Sequence, residues 1–268
     1  MTGNNWSGYH QSSGPPSEMG YAMASTEGEV FGFGSVGDEW GVPVFAPDQR
    51  LAGLAFTPSG RGCWLAASDG TVVCRGDAPN LGSPKDLGVT IPIVAMAPAP
   101  DGFGYYAAVA NGGLYTFGSA GFHGSLGGEQ LNQPIVDVAV SPLGYWLVAG
   151  DGGVFAFGGV PYCGSAADIG LTSQIVAIAA TPSGLGYWLA TGDGQVLTFG
   201  DAVDFGCLAD LGVDGPVIGM CSSRQVFGYW MATASGVVRA FGDTYFLGNV
   251  PPATLTPSFV AFGTLGAG

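Results

Sequence analysis

Six times the chain spells one phrase, a Gly that opens a short aromatic run, followed 14 residues later by a second Gly. The opening glycines are Gly20, Gly62, Gly104, Gly144, Gly186 and Gly228, at intervals of 42, 42, 40, 42 and 42 residues. The closing ones are Gly34, Gly76, Gly118, Gly158, Gly200 and Gly242. Tyr follows the opening Gly in every copy but the second, which has Cys63. A repeat of this length marks one supersecondary unit that cannot bury its apolar surface alone and must stack on its neighbours.

Each unit starts with an apolar run such as Ile135–Val140 or Ile175–Ala180 and continues through a turn such as Thr57-Pro58-Ser59-Gly60. There Pro presets one backbone angle and Gly supplies another. The Gly-Tyr-Trp strand leads into Asp69-Gly70, Asn111-Gly112, Asp151-Gly152 or Asp193-Gly194, pairs that tolerate the positive φ of a tight hairpin. A third strand ends at the closing Gly, and a short fourth segment such as Tyr245–Leu247 follows. No sustained period of 3.6 is visible. The strands are apolar on successive residues, as in Tyr187–Ala190, which suits a sheet covered on both faces. Four short antiparallel strands in about 42 residues is the size of one propeller blade. The expected fold is all-β, a six-bladed β-propeller of four-stranded antiparallel blades.

The ends of the chain complete the count. No apolar run precedes Gly20, whereas a spare one, Ser258–Gly263, follows the sixth copy. The C-terminal strand is therefore expected to pair with the N-terminal blade and close the ring, which removes free sheet edges. This gives an N-terminal arm over 1–19 and one propeller over 20–268.

Composition narrows the function. Twenty acids oppose six bases for a formal charge of −14, and the bases form no stripe that could follow a phosphate backbone. Nucleic acid is not an expected partner. No run of 18 apolar residues suggests a membrane-crossing helix. The first ten residues have neither the basic start nor the apolar core of a secretory signal, so cytoplasmic synthesis is expected. The five cysteines Cys63, Cys74, Cys163, Cys207 and Cys221 share no slot in the repeat and argue against a disulfide framework.

The fourth copy, Gly144-Tyr-Trp-Leu-Val-Ala-Gly-Asp-Gly-Gly-Val-Phe-Ala-Phe-Gly158, resembles a repeat common in proteins of actinobacteria and their phages. More distantly it is similar to tectonin-type lectin propellers, whose blades also carry a Trp strand, a Gly-containing hairpin and a short aromatic strand. The resemblance covers Gly20 to Gly263. It implies a propeller, and it implies function only weakly, since propellers host many unrelated activities.

The slot after Gly-Tyr holds Trp64, Tyr106, Trp146, Trp188 and Trp230, with Ala22 breaking the series. A lectin would use such a ring to stack on glycan faces. Packing between blades is the preferred reading, because these aromatics have apolar neighbours throughout. Trp40 lies off that slot, as do Trp6 and Tyr9 of the arm, and these three are the candidate partner-binding residues. The hairpin acids Asp69, Asp151 and Asp193, and Asp77, Asp201 and Asp243 after the closing Gly, fit turn chemistry better than a metal ring. Arg75-Gly76-Asp77 is a degenerate Phe-Gly-Asp of the repeat. Only His10 and His123 are present, without a partner at a catalytic spacing. No cofactor, metal or catalytic residue is assigned.

Three functions stay open at this point. The first and preferred is a non-enzymatic virion component, a phage tail or capsid-decorating propeller. Its partners would be other particle proteins, host-surface glycan or further copies of itself. The second is a free-standing lectin. The third is a glycoside hydrolase using paired carboxylates in the central funnel.

Overall fold

In the computed structural model the described residues are 19–26, 28–37, 45, 49–213, 215–223, 225–250 and 258–265. Trp6, Tyr9, Trp40 and the arm residues before Met19 lie outside them. Among the described residues no helix is long and apolar enough to cross a membrane.

The strands are β1 (Gly20–Ser25), β2 (Val30–Gly34), β3 (Leu51–Phe56), β4 (Gly62–Ala67), β5 (Val72–Gly76), β6 (Ile93–Pro98), β7 (Gly104–Val109), β8 (Leu114–Gly118) and β9 (Ile135–Ser141). They continue with β10 (Gly144–Ala149), β11 (Val154–Gly158), β12 (Ile175–Ala180), β13 (Gly186–Thr191), β14 (Val196–Gly200), β15 (Val217–Ser222), β16 (Gly228–Thr233), β17 (Val238–Gly242) and β18 (Phe259–Thr264). They form six antiparallel sheets, β18-β1-β2 as blade 1, β3-β4-β5 as blade 2, and so on to β15-β16-β17 as blade 6. The inner strands touch in the cyclic order β18, β3, β6, β9, β12, β15 and back to β18, which closes the propeller. Closure uses the C-terminal strand as expected, with Tyr21 opposite Thr264 and Met23 opposite Phe262.

The fourth segment of each blade departs from expectation. The sheets are three-stranded, and the outer segments of blades 2 to 6 run alongside without a ladder. Their sequence explains this. Pro79 and Pro161 bring no N–H, and Gly82, Gly124, Gly164, Gly206 and Gly248 all adopt positive φ, which within the strands occurs only at terminal glycines.

Side chains hold these segments instead. Trp64, Trp146, Trp188 and Trp230 each donate Nε1–H to a carbonyl 15 residues on, at Pro79, Pro161, Val203 and Tyr245 (2.7–2.9 Å). At Tyr106 the bond to the equivalent residue is reversed, with the hydroxyl oxygen accepting from the Gly121 backbone. From the next blade, Tyr105, Tyr145, Tyr187, Tyr229 and Tyr21 donate their hydroxyls to Gly82, Gly124, Gly164, Gly206 and Gly248 (2.5–2.6 Å). Each outer segment is thus clasped by two blades. The closing glycines sit under this contact. At Gly200, with φ of +68°, a Cβ would run into the Leu185 carbonyl and the Cys163 sulfur.

Candidate functional site

The ring has two faces. One carries the hairpin turns and the other the loops joining first and second strands, here called the loop face. On the hairpin face the acids act as turn acceptors. Asp151 Oδ1 accepts from Gly153 N (3.0 Å), and Asp69 Oδ1 accepts from Thr71 N (2.9 Å) while Oδ2 takes Lys85 Nζ (2.6 Å). Burial opposes ionisation of Asp69, but Lys85, Gln49 and Thr71 outweigh it and hold the carboxyl below its usual range.

On the loop face Asp77 pins the turn of its own blade, accepting from Thr57 Oγ1 (2.7 Å) and Ser59 Oγ (2.6 Å). Those two bonds keep its carboxyl ionised to lower pH than usual. Asp201 pins the turn of blade 5 in the same geometry, accepting from Thr181 Oγ1 (2.8 Å) and Ser183 Oγ (2.5 Å). Among the described residues no three His, Cys, Asp or Glu side chains converge as metal ligands.

The slot aromatics Trp64, Trp146, Trp188, Trp230 and Tyr106 lie between blades and expose 2% or less of their surface. With each Nε1–H spent on an outer segment and each ring packed on a neighbouring aromatic, no ring face is open to a sugar in this conformation. All five cysteines are free thiols. His123 is exposed, with its ring against Tyr145 at 5.8 Å.

The central channel encloses a cavity of about 110 Å³ lined by all six inner strands. Aliphatic side chains dominate, among them Ala52, Val94, Val136, Val176, Ile218 and Val260. The next position along each strand is small, Gly53, Ala95, Ala177, Gly219 and Ala261, except in blade 4, where it is Asp137. Small residues are needed there because neighbouring inner strands approach closely, and a Cβ on Gly53 would strike Met96.

Asp137 fits by reaching across the gap. Oδ1 accepts from Val138 N (2.8 Å) and Oδ2 from Ile178 N of blade 5 (2.9 Å). Burial pushes its pKa up to about 7 despite both bonds. Cys221 also lines the cavity, and burial together with the Asp137 charge pushes its thiol up. No second carboxylate accompanies Asp137 among the described lining residues, so the pair required by a carboxylate glycosidase is not assembled in the channel.

Among the described residues, most of the large exposed apolar side chains lie at two repeated places in blades 3 to 6, one sector of the ring. Phe103, Leu143, Leu185 and Phe227 hold the position just before the opening Gly in blades 3, 4, 5 and 6 and are 66%, 53%, 54% and 38% exposed. Near them, at the start of the outer segments, Phe122, Tyr162, Val203 and Phe246 are 50–61% exposed. At the mouth of the channel, Phe56, Pro58, Pro98, Pro100 and Leu265 help line a cleft of about 300 Å³.

Sequence reasoning passed over this sector. Its signal was four apolar residues at a turn position where polar ones are usual. Asp137 carried a signal too, as the one charged residue inside an inner-strand run. No protein-family model matches the chain. No curated protein matches it either.

Proposed function

We propose that this chain is a non-enzymatic binding propeller, a component of an actinophage-type particle, and that it engages a partner protein through the loop face of blades 3 to 6. The observation carrying this reading is the sector formed by Phe103, Leu143, Leu185 and Phe227 with Phe122, Tyr162 and Phe246. Solitary exposed apolar residues are ordinary, but the same exposed apolar position repeated on four adjacent blades is what a docking surface offers. The aromatic interlock between blades supports a rigid platform, and the repeat phrase supports the particle setting. The Trp slot is consumed by packing and the described lining of the channel includes one carboxylate, so neither the lectin nor the hydrolase has a comparable observation behind it.

Fractionation of the native source tests this. The chain should co-sediment with a particle, and a Leu143→Ser/Leu185→Ser variant should fold with unchanged circular dichroism yet be left out. Equal incorporation of that variant would overturn the reading, as would a free chain that hydrolyses a glycoside.

A further inference from the structure

Three of the four blades of the apolar sector have no Lys or Arg. Between Lys85 and Arg224 the sequence contains no Lys or Arg, so blades 3, 4 and 5 carry none. Over the same span Asp101 and Asp201 stand exposed on the loop face, and Asp204 stands exposed at the start of an outer segment. The repeat makes the contrast direct. Where blades 3 to 6 place Phe103, Leu143, Leu185 and Phe227, blade 2 places Arg61.

All three of these carboxylates are held before any partner arrives. Asp201 is held by Thr181 and Ser183, and Asp101 Oδ1 accepts from Phe103 N at 2.9 Å. Asp204 Oδ1 accepts from Gly206 N at 2.8 Å. Carboxylates ordered in advance lose little entropy when a cation arrives. A surface burying the apolar sector must also meet this field of one sign, and an acidic surface doing so would be repelled.

Building on the binding reading above, we infer that the partner is basic. The loop face of blades 3 to 5 receives a protein segment whose apolar side chains rest on Phe103, Leu143 and Leu185. Its Lys or Arg residues pair with Asp101, Asp201 and Asp204 around them. An uncharged glycan would gain nothing from the missing cations.

Labelled synthetic peptides of equal length test the inference on the full chain by fluorescence anisotropy, one rich in Lys and Phe, one in Glu and Phe, one in Lys and Ser. The Lys/Phe peptide should bind about tenfold or more tighter than the other two. It should weaken steeply between ~0.1 M and ~1 M salt, as the Debye length shrinks from about 10 Å to about 3 Å. Leu143→Ser/Leu185→Ser and, separately, Asp101→Asn/Asp204→Asn should each reduce binding, while Leu87→Ser/Ile169→Ser on other exposed aliphatics should not. The salt series on the unaltered protein stands even where a variant fails to fold.

Equal or tighter binding of the Glu/Phe peptide, still lost with Leu143 and Leu185, overturns the basic partner and leaves the docking face intact. Binding indifferent to Leu143 and Leu185 overturns both. Failure of the Lys/Phe peptide to bind overturns the inference, and a glycan-array signal abolished by the same leucine substitutions would assign the face to a glycan instead.

Discussion

Tyr187 donates its hydroxyl hydrogen to the Gly164 carbonyl 2.5 Å away in the preceding blade, and the same oxygen accepts from Cys163 N at 3.3 Å. Its ring packs on Trp146 at 5.5 Å, so one side chain holds the neighbouring sheet and its outer segment together. The Trp-slot to Tyr contact recurs as Trp64–Tyr105, Tyr106–Tyr145, Trp188–Tyr229 and Trp230–Tyr21 (5.2–5.6 Å). The junction of blades 1 and 2 differs, with Ala22 and Cys63 in those positions. Phe56, 1% exposed, shares their core cluster and fills the space, where the other inner strands place Pro98, Val140, Ala180, Ser222 or Thr264 at the equivalent position.

Tyr187→Phe keeps the ring and removes the hydroxyl. With one bond donated and one accepted, the loss should be about 1–3 kcal/mol. Denaturant unfolding should show a lower midpoint at unchanged slope.

Trp188→Ala should cost about 3–5 kcal/mol as a large-to-small core change. Trp188→Phe should cost less, yet still release the Val203 carbonyl and raise hydrogen exchange in the outer segment of blade 5. A stable Trp188→Ala that loses glycan binding would instead return the slot to a sugar.

At the odd junction, Cys63→Tyr alone should overpack against Phe56 and cost about 1–3 kcal/mol. Adding Phe56→Ala and Ala22→Trp should recover part of that loss, because contacting residues couple by about 0.5–3 kcal/mol. Purely additive costs across the three changes would show that Phe56 does not compensate.

Asp137 gives a pH dependence of definite sign. Its folded pKa, about 7, lies above the unfolded value of about 3.9, so the folded state binds the proton more tightly. The stabilisation is complete below the unfolded value and is lost as pH rises through the folded one, with a slope of at most ~1.4 kcal/mol per pH unit. Asp69 and Asp77, whose pKa values are lowered, act oppositely and below this window. Unfolding free energies measured between about pH 4 and 7 should therefore fall more steeply in the unaltered protein than in Asp137→Ala, and identical slopes would reject the assignment.

Deleting residues 258–268 removes β18 and leaves β1 with one open edge facing the channel. The melting temperature should drop sharply and the truncated chain should aggregate through that edge. A truncation as stable as the full chain would contradict closure by this strand.

Spacing alone made the blades legible. Gly20 and Gly34, like Gly186 and Gly200, face each other across a hairpin because the members of each pair are 14 residues apart around a three-residue loop. The spare run at Ser258–Gly263 announced the closing strand, since local apolar pattern and strand count are properties of the chain itself. The outer segments were misjudged because Tyr245–Leu247 has strand-like composition. Its conformation is set by Trp230 Nε1–H and the Tyr21 hydroxyl, which come from other strands and other blades. Phe103 and Leu185 are ordinary apolar residues in sequence. Only the ring decides that they face outward on adjacent blades while Trp188 faces inward, and only the approach of β9 to β12 turns Asp137 from one scattered acid into a bridge within an apolar channel. Periodicity is written locally, whereas burial and charge environment depend on which distant segments the closed ring brings alongside.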